Sequence, residues 1–131
     1  MLLDTSGLYC YLYEGDARHR EAVRLLDSAQ VRLTHSYVLA ELVALCTTRG
    51  IDRQMTLSFV SELAGAPEVG VVWVGEAEHR SAMDLLRARQ DKLYSLCDAV
   101  SFLLMRERGL TEALTTDRHF DQEGFVRLLP S

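Results

Sequence analysis

Asp4, Glu41, Asp98 and Asp117 are four carboxylates set in stretches that are otherwise apolar or turn-like. Asp4 follows the apolar run Met1 to Leu3 and precedes Thr5-Ser6-Gly7, which places it at the carboxyl edge of a short buried strand that ends in a polar turn. Asp98 falls in the first turn of an apolar helical segment introduced by Ser95-Leu96-Cys97, and Asp117 comes just past a strand expected over Glu112 to Thr116. Glu41 interrupts a helix whose Tyr37, Val38, Leu42 and Leu45 recur at three- and four-residue spacing, and an unpaired charge buried there would be costly. The four are therefore expected to face one cleft.

Carboxylates brought that close repel one another, each pair by roughly 4 kcal/mol at about 4 Å with an effective dielectric near 20. A divalent cation removes that cost. An all-oxygen donor set without a histidine or cysteine cluster favours Mg2+ or Mn2+ over zinc, with Asp4, Asp98 and Asp117 as its expected ligands. The chemistry such a centre performs is phosphodiester hydrolysis: the ion activates water, neutralises the phosphate and lets an acidic site take an anionic backbone.

Each residue also has a plainer role. Ser95-x-x-Asp98 fits a helix capping box, while Asp4 and Asp117 could be turn formers, the latter paired with Arg118. Glu41 could pair with an arginine. Ser6 and Thr116 stand beside Asp4 and Asp117 and could orient a carboxylate or water through their hydroxyls. His19, His35, His79 and His119 lack metal-ligand spacing and are expected at the surface or in turns, and Asp121 is expected to be exposed. Thirteen of the fourteen basic residues are arginine, which suits bidentate phosphate contact, although genomic base composition can produce the same bias.

The elements that must position these side chains alternate along the chain. Strands are expected over Met1 to Leu3, Val31 to Thr34, Val69 to Val74, Glu112 to Thr116 and Phe125 to Leu129. Helices are expected from an N-cap at Asp16 to Ala29, from Tyr37 to the stop at Gly50, over Asp52 to Ala64 closed by Gly65, over Glu76 to Gln90, and from Ser95 to Gly109. Such alternation implies an α/β fold with a mostly parallel sheet and helices on both faces, binding ligands beyond the carboxyl ends of the strands. The 131 residues and 48% hydrophobic content fit one domain over 1–131. No apolar run is long enough to span a membrane, and Cys10, Cys46 and Cys97 suggest neither a disulfide framework nor zinc, so a soluble cytoplasmic protein is expected. With 19 acidic residues against 14 Lys plus Arg, net charge −5, nucleic acid cannot be held by bulk charge alone.

Asp4-Thr5-Ser6, Glu41, Leu96-Cys97-Asp98-Ala99 and Leu114-Thr115-Thr116-Asp117-Arg118-His119-Phe120, with Gly124-Phe125, together resemble the PIN-domain toxins of VapC type over essentially the whole chain. The resemblance implies a three-layer α/β/α fold around a parallel sheet, endonucleolytic cleavage of RNA with Mg2+ or Mn2+, a homodimer and a cognate antitoxin partner. By position, Asp4 and Asp98 resemble the family's principal metal ligands, and Glu41 and Asp117 the acidic residues that help hold metal or orient water. Cys97 departs from the pattern, standing where the family more often has a threonine.

Three other readings compete. A receiver-like phosphate-switch domain would want paired acidic residues after the first strand and a late lysine, whereas Asp4 is alone and Lys92 is the only lysine. A PIN-like RNA- or partner-binding protein without catalysis sits poorly with the intact carboxylate set. A flap-type DNA nuclease would want more chain to guide DNA.

Overall fold

The computed structural model describes residues 1–131. Its centre is a five-stranded sheet in the order β3-β2-β1-β4-β5, built from β1 Leu2–Leu3, β2 Leu33–His35, β3 Gly70–Val72, β4 Glu112–Leu114 and β5 Val126–Arg127, with every pair parallel. Parallel neighbours need crossovers, and seven helices supply them: α1 Thr5–Leu12, α2 His19–Ser28, α3 Ser36–Thr48, α4 Arg53–Gly65, α5 Glu76–Ala88, α6 Leu96–Arg108 and α7 His119–Gln122. This is the expected α/β/α layering.

The alternation of side chains along a strand divides the core in two. Leu3 and Leu114 face a cluster with Leu8, Ala22, Leu26, Val38 and Leu42, from α1, α2 and α3. Leu2, Leu33 and Ala113 face the other side, against Ala82, Val100, Phe102, Met105 and Phe120. Each fully buried leucine contributes roughly 1.5–3 kcal/mol, so the two-residue β1, buried on both faces, is well anchored. No helix is long and apolar enough to cross a membrane.

Several local expectations are corrected. Thr5-Ser6-Gly7 is not a turn: α1 starts at once, with Asp4 in extended backbone as its N-cap residue. Gly7 is needed because α1 lies so close to β4 that a Cβ there would stand 2.0 Å from the Leu114 carbonyl oxygen. Asp16 does not cap α2. It stands two residues before the Arg18 cap, accepting from the Arg18 backbone N–H at 2.8 Å and from its guanidinium at 2.9 Å, and this pairing lowers its pKa to about 2. The valine-dense stretch Val69 to Val74 reads in sequence as a buried strand, but β3 is not one. It is a sheet edge whose Gly70 is exposed and whose Val71 and Val72 are half-buried.

Asp52 caps α4 by accepting from Met55 N–H at 2.9 Å, with Gly65 inside the last turn. Gly109 ends α6 at φ 66°, in the left-handed region glycine tolerates. The single turn of α7 is foreshadowed by no pattern in the sequence.

Candidate active site

The carboxyl ends of β1 and β4 lie side by side, because Leu3 is paired with Leu114 and the Asp4 N–H donates to the Leu114 carbonyl at 3.2 Å. One step further along each strand stand Asp4 and Thr115. The Thr115 hydroxyl donates to Asp4 Oδ2 at 2.6 Å and accepts from the Asp117 N–H at 3.0 Å. Ser6 Oγ lies 3.1 Å from the Thr115 hydroxyl and 3.4 Å from Asp4 Oδ2, and accepts from the Thr116 N–H at 2.9 Å. This network fastens the end of β1 to the loop after β4.

Asp98 reaches the site from the first turn of α6. The capping box is real: Ser95 Oγ accepts from the Asp98 N–H and Asp98 Oδ2 accepts from the Ser95 N–H, both at 3.0 Å. The same Oδ2 lies 3.3 Å from His119 Nδ1, which is also 3.3 Å from Asp117 Oδ1. Asp117 Oδ1 in turn accepts from the His119 N–H at 2.9 Å. Ligand atoms from Asp98, Asp117 and His119 all fall within 4.8 Å of one another.

The acids act on one another through charge. Burial raises the Asp4 pKa to about 7, helped by the charges of Asp98 and Glu41 and opposed by the Thr115 hydrogen bond. Asp98 is also raised, by burial first and then by the Asp117 charge, against the Ser95 and His119 hydrogen bonds. Burial, followed by Glu41, Asp4 and Asp98, pushes up the thiol of Cys97, which stays neutral. No arginine or lysine pairs with any of the four acids; the His119 imidazole is the one basic group within ion-pair distance of them.

That donor set fits a divalent cation. Asp4 is 4% exposed without a cationic partner, the neighbouring Thr5 hydroxyl is buried with no hydrogen-bond partner, and beside them ligand atoms of Asp98 and Asp117 converge with one imidazole nitrogen in a group that does not include Asp4. Asp98, Asp117 and Asp4 could hold such an ion, with His119 adjacent.

Some expectations drawn from the sequence fail in detail. Glu41 is exposed, so the cost of burying a charge does not explain it, although its charge is felt at Asp4 and Cys97. The hydroxyl against Asp4 belongs to Thr115, while Thr116 contributes its N–H. Register picks out Thr115, and two adjacent threonines in a sequence do not. His119 has no metal-ligand spacing along the chain, yet it stands between two carboxylates, a placement that depends on α7. His35 is neither at the surface nor in a turn: it is fully buried, bonded through Nε2 to Ser101 Oγ at 2.8 Å, and burial lowers its pKa to about 4. Asp121 is exposed and paired with Arg127 at 2.9 Å.

A parallel sheet whose carboxyl edge carries hydroxyl-supported carboxylates without arginine or lysine partners defines an α/β fold with an acidic site at that edge. The PIN domain family model matches residues 1–125, and the chain belongs to the PIN-domain family. It is 32% identical over 131 residues to the 23S rRNA-specific endonuclease VapC20 of Mycobacterium tuberculosis, found in two strains, covering 99% of this chain and 98% of that protein. The crystal structure of Mycobacterium tuberculosis VapC20, described as a Sarcin-Ricin loop cleaving toxin, superposes with a TM-score of 0.89 at 31% identity over 98% of each chain.

Proposed function

We propose that this chain is a metal-dependent endoribonuclease, the toxin of a VapC-type pair, with Asp4, Glu41, Asp98 and Asp117 as its catalytic carboxylates. The observation that carries the reading is a set of buried or converging acids with hydroxyl and amide support but no arginine or lysine partner. Such a set is unfavourable alone and favourable around a cation.

Asp4, Asp98 and Asp117 would hold Mg2+ or Mn2+, which when bound supplies Lewis acidity and neutralises charge on the scissile phosphate. The rest is the work of the protein. Thr115 and Ser6 fix the orientation of the Asp4 carboxylate, the Ser95 N–H fixes Asp98 Oδ2, and the His119 N–H fixes Asp117 Oδ1, so the acids need little rearrangement during a turnover. Glu41, exposed and near enough for its charge to act on Asp4, would take a proton on its carboxylate from the attacking water. Cys97, held neutral, stands where a hydroxyl would otherwise support the site and takes no part in acid–base chemistry.

The full-length likeness to a 23S rRNA-specific endonuclease supports ribosomal RNA as the first substrate to test, and a homodimer and a small cognate antitoxin as partners in the cytoplasm. The test incubates antitoxin-free protein with ribosomes and with total RNA in Mg2+, Mn2+ or EDTA, beside Asp4→Ala. Discrete metal-dependent fragments absent from the variant are expected. A folded protein that cuts nothing would shift the reading to RNA or partner binding without catalysis.

A further inference from the structure

Resting on the metal-site reading above, we propose that His119, through Nδ1, is a nitrogen ligand to the divalent ion held by Asp98 and Asp117, and that this ligand makes the site prefer Mn2+ to Mg2+.

The geometry suits a shared cation better than a strong hydrogen bond. Nδ1 is 3.3 Å from Asp98 Oδ2 and 3.3 Å from Asp117 Oδ1, equidistant from oxygens of two different residues. A ring N–H shared between the two oxygens would make only a long bond, since each distance exceeds the roughly 2.9 Å usual for a well-formed N–H···O bond. Neighbouring ligands of an octahedral ion with bonds of about 2.1 Å stand about 3 Å apart, close to the spacing seen here. With the proton on Nε2, the Nδ1 lone pair faces the space between the two carboxylates.

The imidazole is held in that pose. Its backbone opens α7 and donates to Asp117 Oδ1, and its ring packs edge-on against Tyr94 with centroids 5.3 Å apart. The other three histidines bond to neutral groups: His19 Nδ1 to the Cys10 carbonyl at 2.9 Å, His35 Nε2 to the Ser101 hydroxyl, and His79 Nδ1 to the Tyr37 hydroxyl. His119 alone meets carboxylates. Mg2+ strongly prefers oxygen, whereas Mn2+ accepts an imidazole nitrogen more readily, so the mixed donor set tilts selectivity toward manganese.

Pulsed EPR of the wild-type protein loaded with Mn2+ reads the ligand directly, and calorimetric titration with Mn2+ and with Mg2+ reads the preference, for wild type, His119→Gln and Asp98→Asn. Nitrogen-14 hyperfine coupling in the wild type is expected, lost in His119→Gln together with an Mn2+ affinity lower by about tenfold and an Mg2+ affinity changed by about threefold or less. Mn2+ bound without nitrogen coupling, or bound by a folded His119→Gln as tightly as by wild type, overturns the inference and leaves the carboxylate site standing. Failure of the folded wild type to bind either ion overturns both readings. Should His119→Gln not fold, the wild-type spectrum decides.

Discussion

Asp4, a buried residue, and Glu123, a half-buried residue whose side chain is 4% exposed, are both sheltered carboxylates, yet their surroundings are opposite. Glu123 receives the guanidinium of Arg89 at 2.8 Å, that of Arg106, and the Tyr94 hydroxyl at 3.2 Å. Burial alone would raise its pKa, but the Arg106 and Arg89 hydrogen bonds outweigh it and the net shift is downward. Asp4 receives only hydroxyl and amide donors and is raised to about 7. One region spends its buried charge on the fold and closes its own electrostatics. The other has no arginine or lysine to answer its carboxylates, the arrangement the proposed cation would complete.

The sharpest way to break that contrast is Asp98→Asn. Removing a charge that repels its neighbours should cut RNA cleavage by roughly three orders of magnitude while leaving stability equal or higher, since asparagine can still accept from the Ser95 N–H. Cleavage assays beside urea unfolding check it, and a destabilised variant would make Asp98 chiefly a cap. Glu123→Gln should do the reverse, costing about 1–3 kcal/mol in urea unfolding because two guanidiniums lose their counter-charge, a value discounted for their partial exposure. A variant as stable as wild type would erase the difference between the two regions.

The subtlest effect is in pH dependence, with metal removed by EDTA. An acid whose folded pKa is raised keeps a proton the unfolded chain has lost, so Asp4 lowers stability as pH rises from about 4 to about 7, and Asp98 leans the same way. His35, lowered to about 4, stays neutral where the unfolded chain is charged, so it raises stability over about 4 to 6.5. The slopes oppose each other in the wild type. In Asp4→Asn the His35 slope is less opposed, and the melting temperature should climb more steeply between pH 4 and 6.5 than in the wild type. Parallel curves would mean that Asp4 is not held neutral.

The sequence makes the layered fold legible because strand and helix periods differ and several helix ends are marked by a cap or glycine, as at Asp52, Ser95 and Gly109. It also marks strand ends, which is why Asp4 and Asp117 stand out. What it hides is whatever depends on close approach between distant segments. Thr-Ser-Gly reads as a turn because its helix propensities are poor, and becomes helix because α1 can then pack on β4. Thr115 rather than Thr116 meets Asp4 through a register no local pattern encodes. His119 becomes a neighbour of Asp98 only through a one-turn helix too short to leave a periodic trace.

Gly7 has a further consequence. With the Leu114 carbonyl where its Cβ would be, this missing side chain acts as a spacer of zero thickness between the two elements that carry Asp4 and Asp117. The distance between Asp4 and the loop that carries Asp117 is thus gauged from behind by a residue that carries no side chain, and a single methyl group inserted there would push the two elements apart while leaving every carboxylate in the sequence.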